Sequence, residues 1–227
     1  MTEGWLFDYG GTLDTGGQHW GKVLWHAYER HNVPVTEQQF REAYVHAERT
    51  LGKNPIIQPA DTFRKTLETK LRLQLEFLGK DDESSLQSVL DDVYTRAVQQ
   101  TAHSREVLLK LKRRCPLVLV SNFYGNLSTV LLEFGLDGIF DAVVESAVVG
   151  VRKPDPRIFL MGVEALKLPP SKVTAVGDSL EKDVIPARQV GCHTVWLQGE
   201  GWTPYDSSAQ EADRVMRSLD ELLDKNE

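Results

Sequence analysis

The sequence predicts an α/β protein, a Rossmann-like open parallel sheet core with an inserted all-helical cap domain. Three observations carry this. Short apolar runs at Trp5–Phe7, Leu117–Val120 and Val173–Val176 each end in a small or polar residue and pass into a helical pattern, the rhythm of buried parallel strands. Between about Trp20 and Gln100 the strand signal vanishes and only helical stripes remain. Asp8, Ser121 and Asp178 fall at the carboxyl ends of the three runs, where ligands of open α/β sheets collect.

Taken in order, Trp5–Phe7 opens the core, and the helical segment follows at once. Trp20, Leu24, Ala27 and Tyr28 share a face. Thr36 and Gln39 have the spacing of a capping box ahead of Phe40, Ala43, Tyr44 and Ala47. Leu67, Leu71, Leu75 and Leu78 form a third stripe, and Leu86, Leu90, Val93 and Ala97 a fourth. Asp81-Asp82-Glu83, between them, reads as a solvated turn and helix start. After residue 100 the α/β rhythm returns. Leu127, Val130, Leu131 and Phe134 make a helix face that Gly135 can stop, and Asp155 with Pro156 can open the next helix through Phe159, Val163 and Leu166. Thr194–Leu197 reads as a fourth strand, Arg214–Met216 as an edge strand, and Ser218–Leu223 as a short amphipathic helix. The expected division is residues 1–16 and 101–227 for the core and 17–100 for the cap.

Composition narrows the function classes. The formal net charge of −7 over 227 residues, with no basic patch, argues against a nucleic-acid or acidic-membrane partner, so an anionic ligand needs a local site. Two cysteines, Cys115 and Cys192, beside apolar runs, read as buried free thiols and not as a disulfide framework or zinc site. The segment Met1-Thr2-Glu3-Gly4-Trp5 has no signal-peptide character, and no apolar run is long enough to cross a bilayer. The expected setting is reducing and cytoplasmic.

Four separated segments carry chemistry: Asp8-Tyr9-Gly10-Gly11-Thr12-Leu13, Val118-Leu119-Val120-Ser121-Asn122, Lys153 within Gly150-Val151-Arg152-Lys153-Pro154-Asp155-Pro156, and Gly177-Asp178 with Asp183 five positions on. Singly, each has a plain explanation. Asp8 can be a turn residue, Ser121 a helix cap, Lys153 a surface lysine, and Asp178 and Asp183 helix-flanking acids. Together they suit phosphoryl transfer, which needs an in-line nucleophile, cations against the phosphoryl oxygens, and oriented donors. Asp8 can attack to give an acyl phosphate. A divalent cation between Asp8 and Asp178 would cancel the repulsion between nucleophile and substrate, and an oxygen-only ligand set suits Mg²⁺. Lys153 adds positive charge, and Ser121 with the backbone N–H of Asn122 can donate to phosphate oxygens.

In this order, the four segments resemble those of the haloacid dehalogenase superfamily, over the whole chain and including the helical insertion. The resemblance implies a Mg²⁺-dependent phosphohydrolase acting on a small-molecule phosphate ester, with a cap that closes over the site. It also implies that Gly10 offers a backbone carbonyl to the metal and that Asp183 orients the metal's waters or Lys153. One position departs from the pattern. Family phosphatases carry a second aspartate at the place of Gly10, which protonates the leaving group and then activates water. Glycine can do neither, so slow turnover of poor leaving groups is expected. Asp14 and His19 are the nearest candidate substitutes, Asp14 doubling as a turn residue and His19 as a residue where the chain enters the cap.

Two other readings remain: an impaired protein that keeps the pocket for phosphate binding or regulation, and a metal-free dehalogenase. The latter expects tyrosine where Gly10 stands, and Tyr9 is offset by one place. His19, His26, His31 and His46 match no metal-ligand spacing. Phe123 and Tyr124 can line the pocket mouth or pack beneath the cap.

Overall fold

The computed structural model describes residues 2–80, 82–203 and 211–223; Met1 and Asp81, both used above, lie outside the described residues. Six parallel strands form one sheet in the order β3-β2-β1-β4-β5-β6: β1 Gly4–Phe7, β2 Leu117–Ser121, β3 Ala142–Glu145, β4 Val173–Gly177, β5 His193–Leu197 and β6 Arg214–Met216. β1 lies in the middle, between β2 and β4, so the segment after β1 and those after both neighbours emerge side by side. β6 takes the edge, as its sequence predicts. β3 is the other edge and the sequence reading missed it, because only two of its four residues are buried.

Alternation along the strands gives the sheet two dry faces. Leu6, Val118 and Val120 pack against Ile158, Phe159 and Val163 of a helix below. Phe7, Leu117 and Leu119 face the other way, into a larger apolar cluster. That cluster runs without a break into Leu24, Tyr28, Phe40 and Leu71 of the helical segment.

The helical segment consists of α1 Trp20–Arg30, α2 Glu37–Lys53, α3 Phe63–Phe77 and α4 Glu83–Lys112. The Thr36–Gln39 capping box forms in both directions at the start of α2. Asp82 caps α4 through the Ser84 N–H at 3.1 Å. α4 is 30 residues long, about 45 Å at 1.5 Å per residue. It buries Leu86, Leu90 and Val93 and, further on, Val107, Leu108 and Leu111, all in the one apolar cluster that includes Leu117 and Leu119 of the sheet, and it runs straight through position 100. The helical block and the sheet therefore share one continuous rod.

The remaining helices are α5 Leu127–Glu133, α6 Ser146–Val149, α7 Arg157–Leu166 and α8 Ile185–Gln189. Gly135, at φ +64°, ends α5, with its N–H returning to Leu132 and that of Leu136 to Leu131. α7 begins one residue later than its sequence suggests, yet Asp155 still accepts the Arg157 N–H at 2.9 Å. The tail departs from expectation: Leu219–Leu223 is a 3₁₀ turn, whose buried Leu219 and Leu222 suit a three-residue period. Cys192 is buried and Cys115 only half-buried; both are free. No helix among the described residues is long and apolar enough to cross a membrane.

Candidate active site

The candidate groups stand where the strands end. Beyond β1, the Asp8 N–H still pairs with Val176 O at 3.0 Å, which ties Asp8 to the sheet edge. The chain then turns sharply: Leu13 N–H returns to Tyr9 O at 2.8 Å, and Gly11 takes φ +95°. Only glycine fits at 11, because a Cβ there would lie 2.5 Å from an Asp178 carboxylate oxygen. Gly177 is held to glycine in the same way, since its Cβ would meet Asp183 at 2.3 Å. Close packing of Asp8, Asp178 and Asp183 thus depends on these two missing side chains.

Asp178 follows β4 and accepts a hydrogen bond from Thr12 Oγ1 at 3.2 Å. Asp183 lies in a single π-helical turn, Leu180–Val184, and accepts the Ser179 N–H at 3.1 Å. Lys153 reaches in from the loop after α6. Its Nζ lies 2.7 Å from Asp8 Oδ1 and 2.5 Å from Asp183 Oδ1. Asn122 fixes that loop with two hydrogen bonds, accepting the Lys153 N–H at 2.9 Å and donating to Lys153 O at 3.1 Å. The side chains of Lys153, Asp8 and Asp183 are all less than a tenth exposed.

Electrostatics follow from this crowding. Burial depresses the Lys153 ammonium, but Asp183 and Asp8 outweigh it and the pKa rises. Burial, then Asp183 and Asp8, push Asp178 well above the carboxylate range. Burial also lifts Asp183 to about 6 against the pull of Lys153. Three carboxylates sharing one ammonium are short of positive charge. Asp8, Asp178 and Asp183 each offer an oxygen within 4.8 Å of the others, a donor set of hard oxygens alone. Such a cluster fits Mg²⁺, which would supply the missing charge.

The cluster opens into a cavity of about 1220 Å³ between the strand ends and the helical block. Asp8, Gly10, Asn122, Lys153, Asp178 and Asp183 line it. Ser121 closes β2 at 1% exposure, and the cavity wall on that side begins only at Asn122. Gly10 faces open space, with nothing within 4 Å of the position its Cβ would take. Phe123 and Tyr124 both line the cavity. Tyr9 does not: its ring is fully buried, edge-on to Phe63 and Phe123.

The two candidate replacements for the absent acid already have partners. Asp14 accepts the Gly11 N–H at 2.7 Å and Trp20 Nε1–H at 2.9 Å, and burial lifts it to about 7. His19 caps α1 by accepting the Gly21 N–H on Nδ1 at 3.0 Å. Burial and then Lys182 bring it down to about 4. His26 and His31 pair with surface acids, and His46 stacks on Phe77.

The roof of the cavity holds residues that the sequence reading missed. Glu48 of α2 and Lys70 of α3 form an ion pair at 2.6 Å, and Tyr124 Oη donates to Glu48 at 3.1 Å. The available signal was spacing, for Thr66, Lys70 and Gln74 place polar groups four apart on a buried helix face. Trp202 also joins the wall. Arg41 donates twice to its carbonyl, at 2.7 and 3.1 Å, and covers its ring at 4.0 Å.

Comparison with known proteins agrees with this geometry. The haloacid dehalogenase-like hydrolase family matches residues 3–191. Haloacid dehalogenase-like hydrolase domain-containing protein 3 of Mus musculus is 30% identical over 217 residues, 92% of this chain and 85% of that protein. Glyceraldehyde 3-phosphate phosphatase of Pyrococcus furiosus is 29% identical over 156 residues, 67% of this chain and 65% of that one. Among solved structures, a dehalogenase with an intermediate complex superposes with a TM-score of 0.63 at 19% identity, covering 97% of this chain and 95% of the other. At that identity the likeness is one of fold alone.

Proposed function

The chain belongs to the haloacid dehalogenase-like hydrolase family, and we propose that it is a Mg²⁺-dependent phosphohydrolase acting on a small phosphorylated metabolite through an aspartyl-phosphate at Asp8. The observation that carries the reading is the buried cluster of Asp8, Lys153, Asp178 and Asp183 at the strand ends, open to one cavity. The phosphatase named among its relatives supports it.

Asp8 attacks phosphorus in line; the ester bond breaks, and the leaving oxygen departs as an alcohol once protonated. Water then attacks the phosphoryl group, releasing phosphate and restoring Asp8. Lys153 balances charge at the nucleophile, and Asn122 holds Lys153 in place. The Asn122 N–H, on the cavity wall, and the Ser121 hydroxyl, buried just behind it, would donate to the phosphoryl oxygens. Asp8, Asp178, Asp183 and the Gly10 carbonyl would hold Mg²⁺, which when bound supplies Lewis-acid charge against the phosphoryl oxygens. Residues 17–100 act as the cap, excluding water and choosing the substrate. The free thiols are consistent with a reducing, cytoplasmic setting.

Protonation of the leaving group is the weak step. Gly10 has no acid to give, and Asp14 and His19, though on the cavity wall, are already hydrogen-bonded to Gly11, Trp20 and Gly21. Aryl phosphates, which leave without help, are therefore hydrolysed faster than alkyl phosphates. The test is a phosphate-release screen with Mg²⁺ on both classes, run beside Asp8→Asn and Gly10→Asp. Asp8→Asn abolishes release. Gly10→Asp raises alkyl turnover by about 10²-fold, the lower range of general acid–base catalysis, and the open space at Gly10 admits the side chain. Release that survives Asp8→Asn defeats the reading.

Gly10 also favours one rival, a phosphate-binding protein without turnover. Its signature is a melting temperature raised by Mg²⁺ with beryllium fluoride while no ester is hydrolysed. A metal-free dehalogenase is disfavoured by Tyr9, whose ring is buried away from the cavity.

A further inference from the structure

We propose that Glu48, Lys70 and Tyr124 form a subsite that accepts phosphate esters ending in an uncharged hydroxyl group and rejects those ending in a carboxylate. The inference rests on the phosphatase reading above and names the substrate class for that cavity. All three residues line the cavity that contains Asp8, yet they come from its roof, from α2, α3 and the loop after β2.

The argument begins with a charge that packing does not need. Burying a lysine and a glutamate together gains little stability over an apolar pair of similar volume. Lys70 is nevertheless only 9% accessible along its side chain, with Nζ 2.6 Å from Glu48 Oε1 and 5.5 Å above the Tyr124 ring. Burial works against its charge, but Glu48 and the nearby tyrosines more than compensate and hold it as an ammonium. Glu48 is likewise kept ionised, burial being outweighed by Lys70 and by the Tyr124 hydroxyl.

The pair is neutral in sum but lopsided in exposure. Along their side chains Glu48 is 33% accessible and Lys70 9%; Glu48 Oε1 is buried against Lys70, so Oε2 is the oxygen left to meet a ligand in the cavity. Its counterion sits behind it, and Tyr124 Oη already donates to its second oxygen at 3.1 Å. A carboxylate presented this way accepts hydrogen bonds from hydroxyl groups. An approaching carboxylate meets like charge in a partly dehydrated space. Lys53, Arg152 and Lys182 also line the cavity, but all three are exposed, where water and salt screen them.

Two esters isolate the effect. Glycerol 3-phosphate and 3-phosphoglycerate share the phosphate and the middle hydroxyl; only the far end differs, CH₂OH against carboxylate. The expected kcat/KM favours glycerol 3-phosphate by at least about tenfold. Glu48→Gln leaves Lys70 without its counterion, and the ratio moves toward 3-phosphoglycerate by about tenfold. Lys70→Met strips Glu48 of its partner and moves the ratio further toward glycerol 3-phosphate, and a shift toward 3-phosphoglycerate overturns the subsite. Equilibrium binding of both esters to the Asp8→Asn protein with Mg²⁺ gives the same ordering without turnover.

Equal kcat/KM for the two esters, with release that depends on Asp8, overturns the subsite and leaves the phosphatase reading standing. Absence of Asp8-dependent release together with selective binding of glycerol 3-phosphate overturns the phosphatase reading alone. Parallel loss on both esters in Glu48→Gln, the mark of a purely structural residue, also overturns the subsite.

Discussion

The floor and the roof of the cavity are built on opposite rules. On the floor, Asp8, Asp178, Asp183 and Lys153 hang from strand ends and tight turns, and each has one position it can occupy. Gly11 and Gly177 show how little tolerance there is, since a single added carbon at either would collide with a carboxylate. On the roof, Glu48, Lys70 and Tyr44 project from helix faces, where neighbouring turns offer equivalent places. Under the proposed phosphatase reading, a floor of this kind would fix the reaction, and a roof of this kind could be retuned for a new substrate without disturbing it.

Four perturbations separate the two regions, beginning with the strongest. Asp8→Asn removes the nucleophile and lowers phosphate release by at least about 10³-fold, while the melting temperature stays close to that of the parent. A comparable loss from any single roof substitution would erase the distinction. Lys153→Met leaves Asp8 and Asp183 facing each other without a cation. Breaking a buried ionic network in this way costs about 3–5 kcal/mol, read by urea unfolding, and Mg²⁺ recovers part of it.

The third concerns pH. Asp14 is buried beneath the floor loop and lifted to about 7. A carboxyl group with a raised folded pKa contributes stability that is complete below its unfolded pKa and lost as pH rises through the folded one. Between about pH 4 and 7 its share of stability falls by up to about 1.4 kcal/mol per pH unit. Urea titrations across that range, compared with Asp14→Asn, give the difference; identical slopes would remove Asp14 from the account. The smallest effect belongs to the tie between the regions. Arg41→Ala deletes two hydrogen bonds to Trp202 O and a cation–π contact, worth about 1–2 kcal/mol together. Urea unfolding followed by tryptophan fluorescence reports it.

The same contrast explains what the sequence could reveal. Asp8, Lys153, Asp178 and Asp183 were legible because strand ends and turns leave compact, ordered signatures: an apolar run, then a charge, with glycine at the points of closest approach. The helices of the roof were legible as helices, down to the Thr36–Gln39 capping box. Their chemistry was not. Lys70 lies beside Leu67 and Leu71 like any solvated lysine, and its burial is decided by the packing of α2 and Tyr124 from elsewhere in the chain. Ser121 shows another limit, for its place at a strand end did not reveal that it lies at 1% exposure, one residue before the cavity wall begins. β3 was missed because half its residues face outward.

The 30-residue helix α4 makes the two connections between block and sheet unequal. On one side the chain crosses through Gly16 and Gly17, both at positive φ. On the other it crosses inside an unbroken rod whose last three turns bury Val107, Leu108 and Leu111. Of the two links α4 is the longer and more regular, so a movement of the block relative to the sheet would bend this rod. Over the roughly 30 Å of rod beyond its last three turns, a bend of about 5° would displace the far end by about 2–3 Å.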